Sequence, residues 1–396
     1  MKLINFIIIA FATVCIFDPE DYLTGLKVPL FILLLSSIIL AILAGKKSLN
    51  IDKNIYIVTL IFLLIPIIGL LITLLSGLSF NLGYSMLKGY LFIILLPFVC
   101  MLRINFIRPF SIVLACLSFV IIFVYILVQA NPELYLPLAV FGNETGIMSI
   151  DERSYGGEDL WLQIYFVTSP MLVVSIAYFY TLQTQEKDFI KKNIFRLFFL
   201  SSIVAMIFAG SRNNLFAAII LPAILIFINY SRKDLLLPFY LSVSLILLPF
   251  LFPVLSILLS ATEFSNSIKI NLLKDYFAFF DNPFTLVFGQ GLGSEVFWNA
   301  KNSYLHLSEL TYFEIYRNFG LFGGTLILGG VLSPIYIYSK LKLNDELSRN
   351  ILIAYIFYLI MCFTNPNYFS SLGMSCLIII YSTFYLSKKN KMYESV

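Results

Sequence analysis

Long apolar runs, each closed by charge or by Gly, Pro or Asn, set the pattern of this chain. A helix needs roughly 20 apolar residues to cross a bilayer. Runs of that order lie at about 3–17, 26–45, 55–76, 84–102, 109–130, 160–182, 196–210, 213–230, 235–260, 317–338, 350–364 and 369–387. They predict an all-α polytopic membrane protein: one integral membrane domain over residues 1–396, with about twelve transmembrane helices. Two of the intervals between runs are long, 131–159 and 261–316, and alternation of the runs puts both on the same side. The second carries Ile270, Leu273, Phe277 and Phe280 at helical spacing, which predicts a large helical loop before the tenth helix. Long loops are usually functional, so the chemistry is expected on that face. No two-fold internal repeat is visible, because the first half has nothing to match the second long loop.

Composition supports this reading. Hydrophobic residues make up 60% of the 396 and charged residues 12%, against about 45–50% and about 25% in a soluble domain. A water-soluble fold has no means of hiding so much apolar surface. That excludes a soluble enzyme, a secreted disulfide scaffold and a disordered chain. Cys15, Cys100, Cys116, Cys362 and Cys376 all fall inside apolar runs and read as small core residues. His306 is the sole histidine, so a multi-histidine metal centre is excluded, and the acidic residues do not cluster into an oxygen cage. No metal and no other cofactor is expected. Residues 3–17 behind Lys2 look like a signal peptide but lack a small-x-small cleavage site, and are expected to remain as the first helix.

Charge changes the picture once it is divided by side. The formal net charge is +4. One set of loops and both termini hold 18 of the 26 basic residues and 7 acidic ones, a balance of +11. The opposite loops hold 8 basic and 15 acidic residues, a balance of −7. The positive-inside rule then puts the N- and C-termini in the cytoplasm and both long loops outside.

On the outer side, the turn Gly210-Ser211-Arg212 opens a helix. A guanidinium beside the free N–H groups of a first helical turn suits phosphate or pyrophosphate; the plainer alternative is an arginine snorkelling to the interface. Lys88 lies inside the fourth run, near its outer end, with the same two readings. Phe288 to Gly293 imitates a dinucleotide fingerprint but lacks the final glycine and a βαβ setting, and reads better as a tight turn. From Glu309 to Gly323, helical spacing puts Glu309, Tyr312 and Tyr316 on one face and pairs Glu314 with Arg317 at i, i+3. A carboxylate beside aromatic rings suits a sugar hydroxyl, while a solvated acidic cap is the simpler account. Trp298 and Tyr304, with Tyr135, Tyr155 and Trp161, are the outer-loop aromatics placed to act as carbohydrate platforms. Interfacial belts account for most of the remaining aromatic residues.

These residues resemble the polytopic O-antigen polymerases (Wzy) and the related O-antigen ligases. The similarity covers the whole layout and three motifs: the Gly210-Ser211-Arg212 turn, the Pro283 to Gly293 stretch, and Glu309 to Gly323. In the last, Tyr312, Glu314, Gly320, Leu321 and Gly323 match a ligase pattern, whereas Glu309 and Leu310 stand where a ligase has His-Asn. That departure favours the polymerase branch. The resemblance implies a GT-C-like glycosyltransferase of the bacterial inner membrane. It would join undecaprenyl-pyrophosphate-linked oligosaccharide repeat units at the periplasmic face, in lipopolysaccharide biosynthesis. It further implies Arg212 as pyrophosphate clamp, with Lys269, standing roughly where relatives place a loop arginine, as a second cation. Lys88 and Arg317 are the other available cations. Glu309 is the candidate general base for the acceptor hydroxyl, with His306 as an alternative, and Tyr312, Tyr304 and Trp298 are the candidate sugar contacts. The implied partners are membrane lipids, a Wzz-type chain-length regulator and a flippase, with no nucleic acid. The alternatives are an O-antigen ligase and a lipid-linked oligosaccharide flippase. The flippase is disfavoured by the single asymmetric loop and by a membrane interior almost free of charge.

Overall fold

The structure is a computed structural model that describes residues 2–45, 52–154, 160–229, 264–365, 368 and 370–394. The described chain is mostly helical. Among the described residues, five helical stretches are long and apolar enough to cross a membrane: Lys27–Ala44, Lys53–Leu75, Phe80–Leu102, Ile107–Ala130 and Thr311–Lys340. Leu3–Phe17 and Arg212–Ile228 are shorter and also apolar. Leu33, Leu40, Leu43, Leu64 and Leu71 point outward and are exposed. An apolar surface of that extent belongs against lipid, and the chain has the make-up of a membrane-embedded protein. The ninth apolar run, 235–260, lies outside the described residues.

In chain order the helices are α1 (Lys2–Phe17), α2 (Lys27–Ala44), α3 (Lys53–Leu75), α4 (Phe80–Leu91), α5 (Leu95–Leu102), α6 (Ile107–Ala130) and α7 (Tyr135–Thr145). Then come α8 (Leu172–Gln185), α9 (Phe189–Phe208), α10 (Arg212–Ile228), α11 (Phe264–Phe280), α12 (Pro283–Phe288), α13 (Thr311–Lys340), α14 (Glu346–Cys362) and α15 (Ser371–Glu394). Helix α8 packs against α9 and α14, and α10 closes the same group. Helix α6 joins this group to α1, on which α2 packs; α3 packs against α13, and α4 packs against α3 and α15. One continuous hydrophobic core runs through these helices.

Two stretches depart from the sequence expectation. The run at 160–182 is not one helix: Leu160–Phe166 is strand β2, paired antiparallel with β1, Met148–Ser154, and the helix starts only at Leu172. Apolar content alone does not separate a strand from a buried helix. Here β-branched and aromatic residues find a partner strand across the register Ile150–Ile164 and Ser149–Tyr165. Pro170 sits in the turn that opens the helix, where its missing N–H costs nothing. The described part of the interval 131–159 holds α7 and β1. The second departure is α13, which begins at Thr311 rather than near 317 and is broken at Gly320 (φ 66°, ψ −175°).

The described part of the large loop is helical, as expected, with one small addition. Strands β3 (Val296–Trp298) and β4 (Ser303–Leu305) form a hairpin after α11 and α12. Leu272, Tyr276, Trp298 and Leu310 make a second, separate hydrophobic core there. The loop therefore has a fold of its own, seated on the start of α13.

Candidate functional site

The turn before α10 is built to present Arg212. Ser211 is the N-cap, and its hydroxyl accepts from the N–H of Asn214 at 3.2 Å. Asn214 in turn donates to the Ser169 hydroxyl at 2.9 Å, tying the helix start to the segment that follows the hairpin. Gly210 adopts φ +63°, and the Gln163 side chain lies where a Cβ would be. The hairpin can fold over this turn because position 210 has no side chain.

Three of the residues singled out from sequence converge here. Arg212 on α10, Lys269 on α11 and Glu309 before α13 line one cavity of about 290 Å³. Ser149, Gln163 and Tyr165 of the hairpin and Asn365 beyond α14 complete the wall. Glu309 is half-buried and accepts from Lys301 Nζ at 3.0 Å. Gln163, which lines this cavity, has a buried Oε1 with no hydrogen-bond partner among the described residues. Two cations, a helix N-terminus and a carboxylate already held by its own lysine suit an anionic group with hydroxyls beside it.

A second hollow of about 560 Å³ adjoins the first and shares Asn213 and Thr364 with it. Its wall is apolar, with Val331, Ile335, Ile356, Leu359 and Phe363 from α13, α14 and the residue after it. Asn213 donates to the Thr364 hydroxyl at 2.6 Å at the junction of the two. A charged cavity opening beside an apolar groove matches an amphiphile with an anionic head.

Several expected site residues stand elsewhere. Arg317 is fully buried, and its guanidinium is committed within the protein. Nε donates to Glu314 at 3.0 and 3.1 Å, Nη1 to the Ser294 hydroxyl at 2.7 Å and to Gln290 at 3.0 Å, and Nη2 to the His306 carbonyl at 2.8 Å and to Glu314. The i, i+3 pairing of Glu314 with Arg317 is as the spacing predicts, but it removes Arg317 from the set of phosphate ligands. Trp298 is fully buried, packs 5.0 Å from the Tyr276 ring and donates to the Leu305 carbonyl, so it is a loop-core residue rather than a sugar platform. The Tyr276 hydroxyl donates to Glu314 at 2.6 Å, and burial together with that carboxylate pushes its pKa up.

The Tyr312 ring faces the apolar groove, and its hydroxyl donates to the Leu359 carbonyl at 2.7 Å, away from the polar cavity. Tyr304 is exposed at the loop surface against Phe297. His306 is half-buried, and Lys88 is exposed on α4 with its ammonium 4.8 Å from the Tyr84 ring. Neither His306 nor Lys88 lines the Arg212 cavity.

The Gly289–Gly293 turn is a packing device. The break at Gly320 frees the carbonyls of Arg317 and Asn318, and the N–H groups of Gln290 and Gly291 fill them at 2.7 and 3.2 Å. Leu292 N–H donates to Gly69, and its carbonyl accepts from Thr73 at 2.8 Å. These amides are spent on α3 and α13, so they face no ligand.

Sequence reasoning missed Ser149, Gln163, Tyr165 and Asn365. The alternation Leu162–Ile164–Phe166 was the available signal for a strand, but its partner strand is polar and nothing local ties either to Gly210. Among the described residues, no group of three or more His, Cys, Asp or Glu could hold a metal ion. No family model matches this chain, and neither does a curated protein or a solved structure.

Proposed function

We propose that this chain is a polysaccharide polymerase of the O-antigen type, a GT-C-like enzyme with about twelve spans and cytoplasmic termini. It joins undecaprenyl-pyrophosphate-linked repeat units at the periplasmic face of a bacterial inner membrane. The observation that carries this reading is the convergence of Arg212, Lys269 and Glu309, from three distant segments, on one cavity beside an apolar groove. In the reaction, the acceptor hydroxyl oxygen attacks the anomeric carbon of the donor. The bond from that carbon to the pyrophosphate oxygen breaks, and the electron pair leaves with the pyrophosphate. Arg212 and Lys269 stabilise the charge that develops there. Glu309, oriented by Lys301, takes the hydroxyl proton. The donor is already activated, so no nucleotide is required, and the polyprenyl chain lies along the groove of Val331, Ile356 and Leu359. A flippase hands over the substrate and a chain-length regulator sets the product size.

The test is made in the host. Arg212→Ala and Glu309→Gln are expected to abolish the long-chain lipopolysaccharide ladder on a gel and to leave core lipid capped by a single repeat. A ladder that survives both changes at normal protein level overturns the site. Core lipid without even one repeat after gene deletion would point to a ligase or a flippase instead.

A further inference from the structure

At the other end of α10 lies a larger cavity that the polymerase reading leaves unused. Helix α10 runs 17 residues from Arg212 to Ile228, about 25 Å at 1.5 Å per residue. The two cavities therefore sit at opposite ends of the bundle. The second measures about 870 Å³ and is bordered by α8, α9, the end of α10 and the start of α14. Three cations line it: Lys192 and Arg196, one turn apart on α9, and Arg349 on α14. Glu346 is its one carboxylate among the described residues, and neutral groups hold both oxygens: Thr184 donates to one at 2.9 Å and Gln185 to the other at 3.2 Å.

None of the three cations makes a direct ion pair with a carboxylate among the described residues. Arg349 Nη2 donates to Asn229, while its Nε is buried with no hydrogen-bond partner among the described residues. On each of the first three helices the polar residues lie toward the helix end and the apolar ones deeper. Gln183 and Thr184 lie beyond Tyr180, Lys192 and Arg196 precede Phe199 and Leu200, and Asn229 follows Ile226 and Ile228. Polar mouth and apolar floor thus follow the direction of a membrane interface.

We propose that this cavity binds the headgroup of an anionic phospholipid, its phosphodiester held by Lys192, Arg196 and Arg349 and its acyl chains starting along Phe199, Leu200 and Ile226. A basic recess between helices at a membrane surface attracts anionic lipid, and the phosphodiester oxygens supply acceptors for the unmet Arg349 N–H. The apolar floor favours a lipid over a soluble phosphate. This site does not depend on the polymerase reading, since it uses none of the residues around Arg212.

The experiment uses the full-length protein purified in neutral detergent. Thermal stabilisation and lipid retention in native mass spectrometry are measured with phosphatidylglycerol, with phosphatidylcholine and with soluble glycerol phosphate. Phosphatidylglycerol is expected to stabilise and be retained, the other two not. Arg196→Gln and Arg349→Gln should each weaken apparent affinity roughly fivefold, while Arg349→Lys, which keeps the charge, should weaken it less than Arg349→Gln. If a glutamine variant does not fold, Lys192→Gln and the fall of wild-type affinity with added salt replace it. Equal retention of phosphatidylcholine, equal stabilisation by glycerol phosphate, or full affinity in the folded glutamine variants overturns the proposal.

Discussion

Burial separates Arg212 from Arg317. Both lie near the start of a helix on the expected outer side, and the sequence offers both as cations for a phosphate, Arg212 first. Arg317 donates to Glu314 on its own helix and to Gln290, Ser294 and His306, and so ties three points of the loop to α13. Removing it leaves Glu314 charged and unpaired inside the protein. Arg317→Ala is therefore expected to destabilise by about 3–5 kcal/mol, read as an earlier melt and loss of folded protein in detergent. Gln163 illustrates the converse, a buried acceptor without a partner among the described residues, on a side chain that lines the cavity. Gln163→Leu keeps the size and removes the acceptor; the expected outcome is normal folding with a shortened or absent polymer ladder. A normal ladder would show that this wall does not touch substrate. Asp18, after α1, adds a pH effect. Burial raises its pKa, but N–H bonds from Thr24, Leu23 and Tyr22 and the Thr24 hydroxyl outweigh burial and hold it below the ordinary value. A depressed carboxyl contributes stability above its unfolded value, about 3.9, and loses it as the pH falls through the folded one. Asp18→Asn should therefore flatten the decline of melting temperature below about pH 4.

At the scale of elements, the decisive feature is the broken helix α13. Its first turns carry Glu314 and Arg317, and the break at Gly320 supplies the carbonyls that anchor the Gly289–Gly293 turn. A Cβ at 320 would meet the Val287 carbonyl and would occupy φ +66°, a region that side chains other than glycine enter at a cost. Gly320→Ala is expected to cost about 2 kcal/mol and to expose the 264–310 loop to protease while α3 stays protected. Sequence reading identified Gly320 and the glycine turn as separate motifs. It had no means of showing that one answers the hydrogen-bonding need of the other, because residues 290 and 318 meet only after the chain has passed through the β3–β4 hairpin and into α13. The β1–β2 hairpin was obscured for a related reason: its apolar strand continues directly toward an apolar helix, and only pairing across the register tells them apart.

For the whole molecule, charge and hydropathy make one further expectation accessible. If the basic loops face the cytoplasm, a cysteine at the exposed Tyr304 should react with an impermeant maleimide added to intact spheroplasts. A cysteine at the exposed Asn344 should react only after the membrane is opened. The reverse result would invert the orientation, and with it the face assigned to the Arg212 cavity. The two cavities at opposite ends of α10 give the molecule a polarity that its net charge of +4 conceals.

By itself the sequence determined that this chain is built of apolar helices, which of its loops are large, and which exposed chemistries exist at all. Hydropathy and helical spacing are local properties, and they survive being read one segment at a time. The Gly210-Ser211-Arg212 turn and Glu309 were legible in the same way, as local chemistry at a helix boundary. Only the tertiary structure decided that Arg212, Lys269 and Glu309 share a cavity, and that Arg317 and Trp298 are interior struts. The reason is that burial and partnership belong to pairs of residues tens to hundreds of positions apart. A guanidinium carries no mark of its partner until the chain has folded around it.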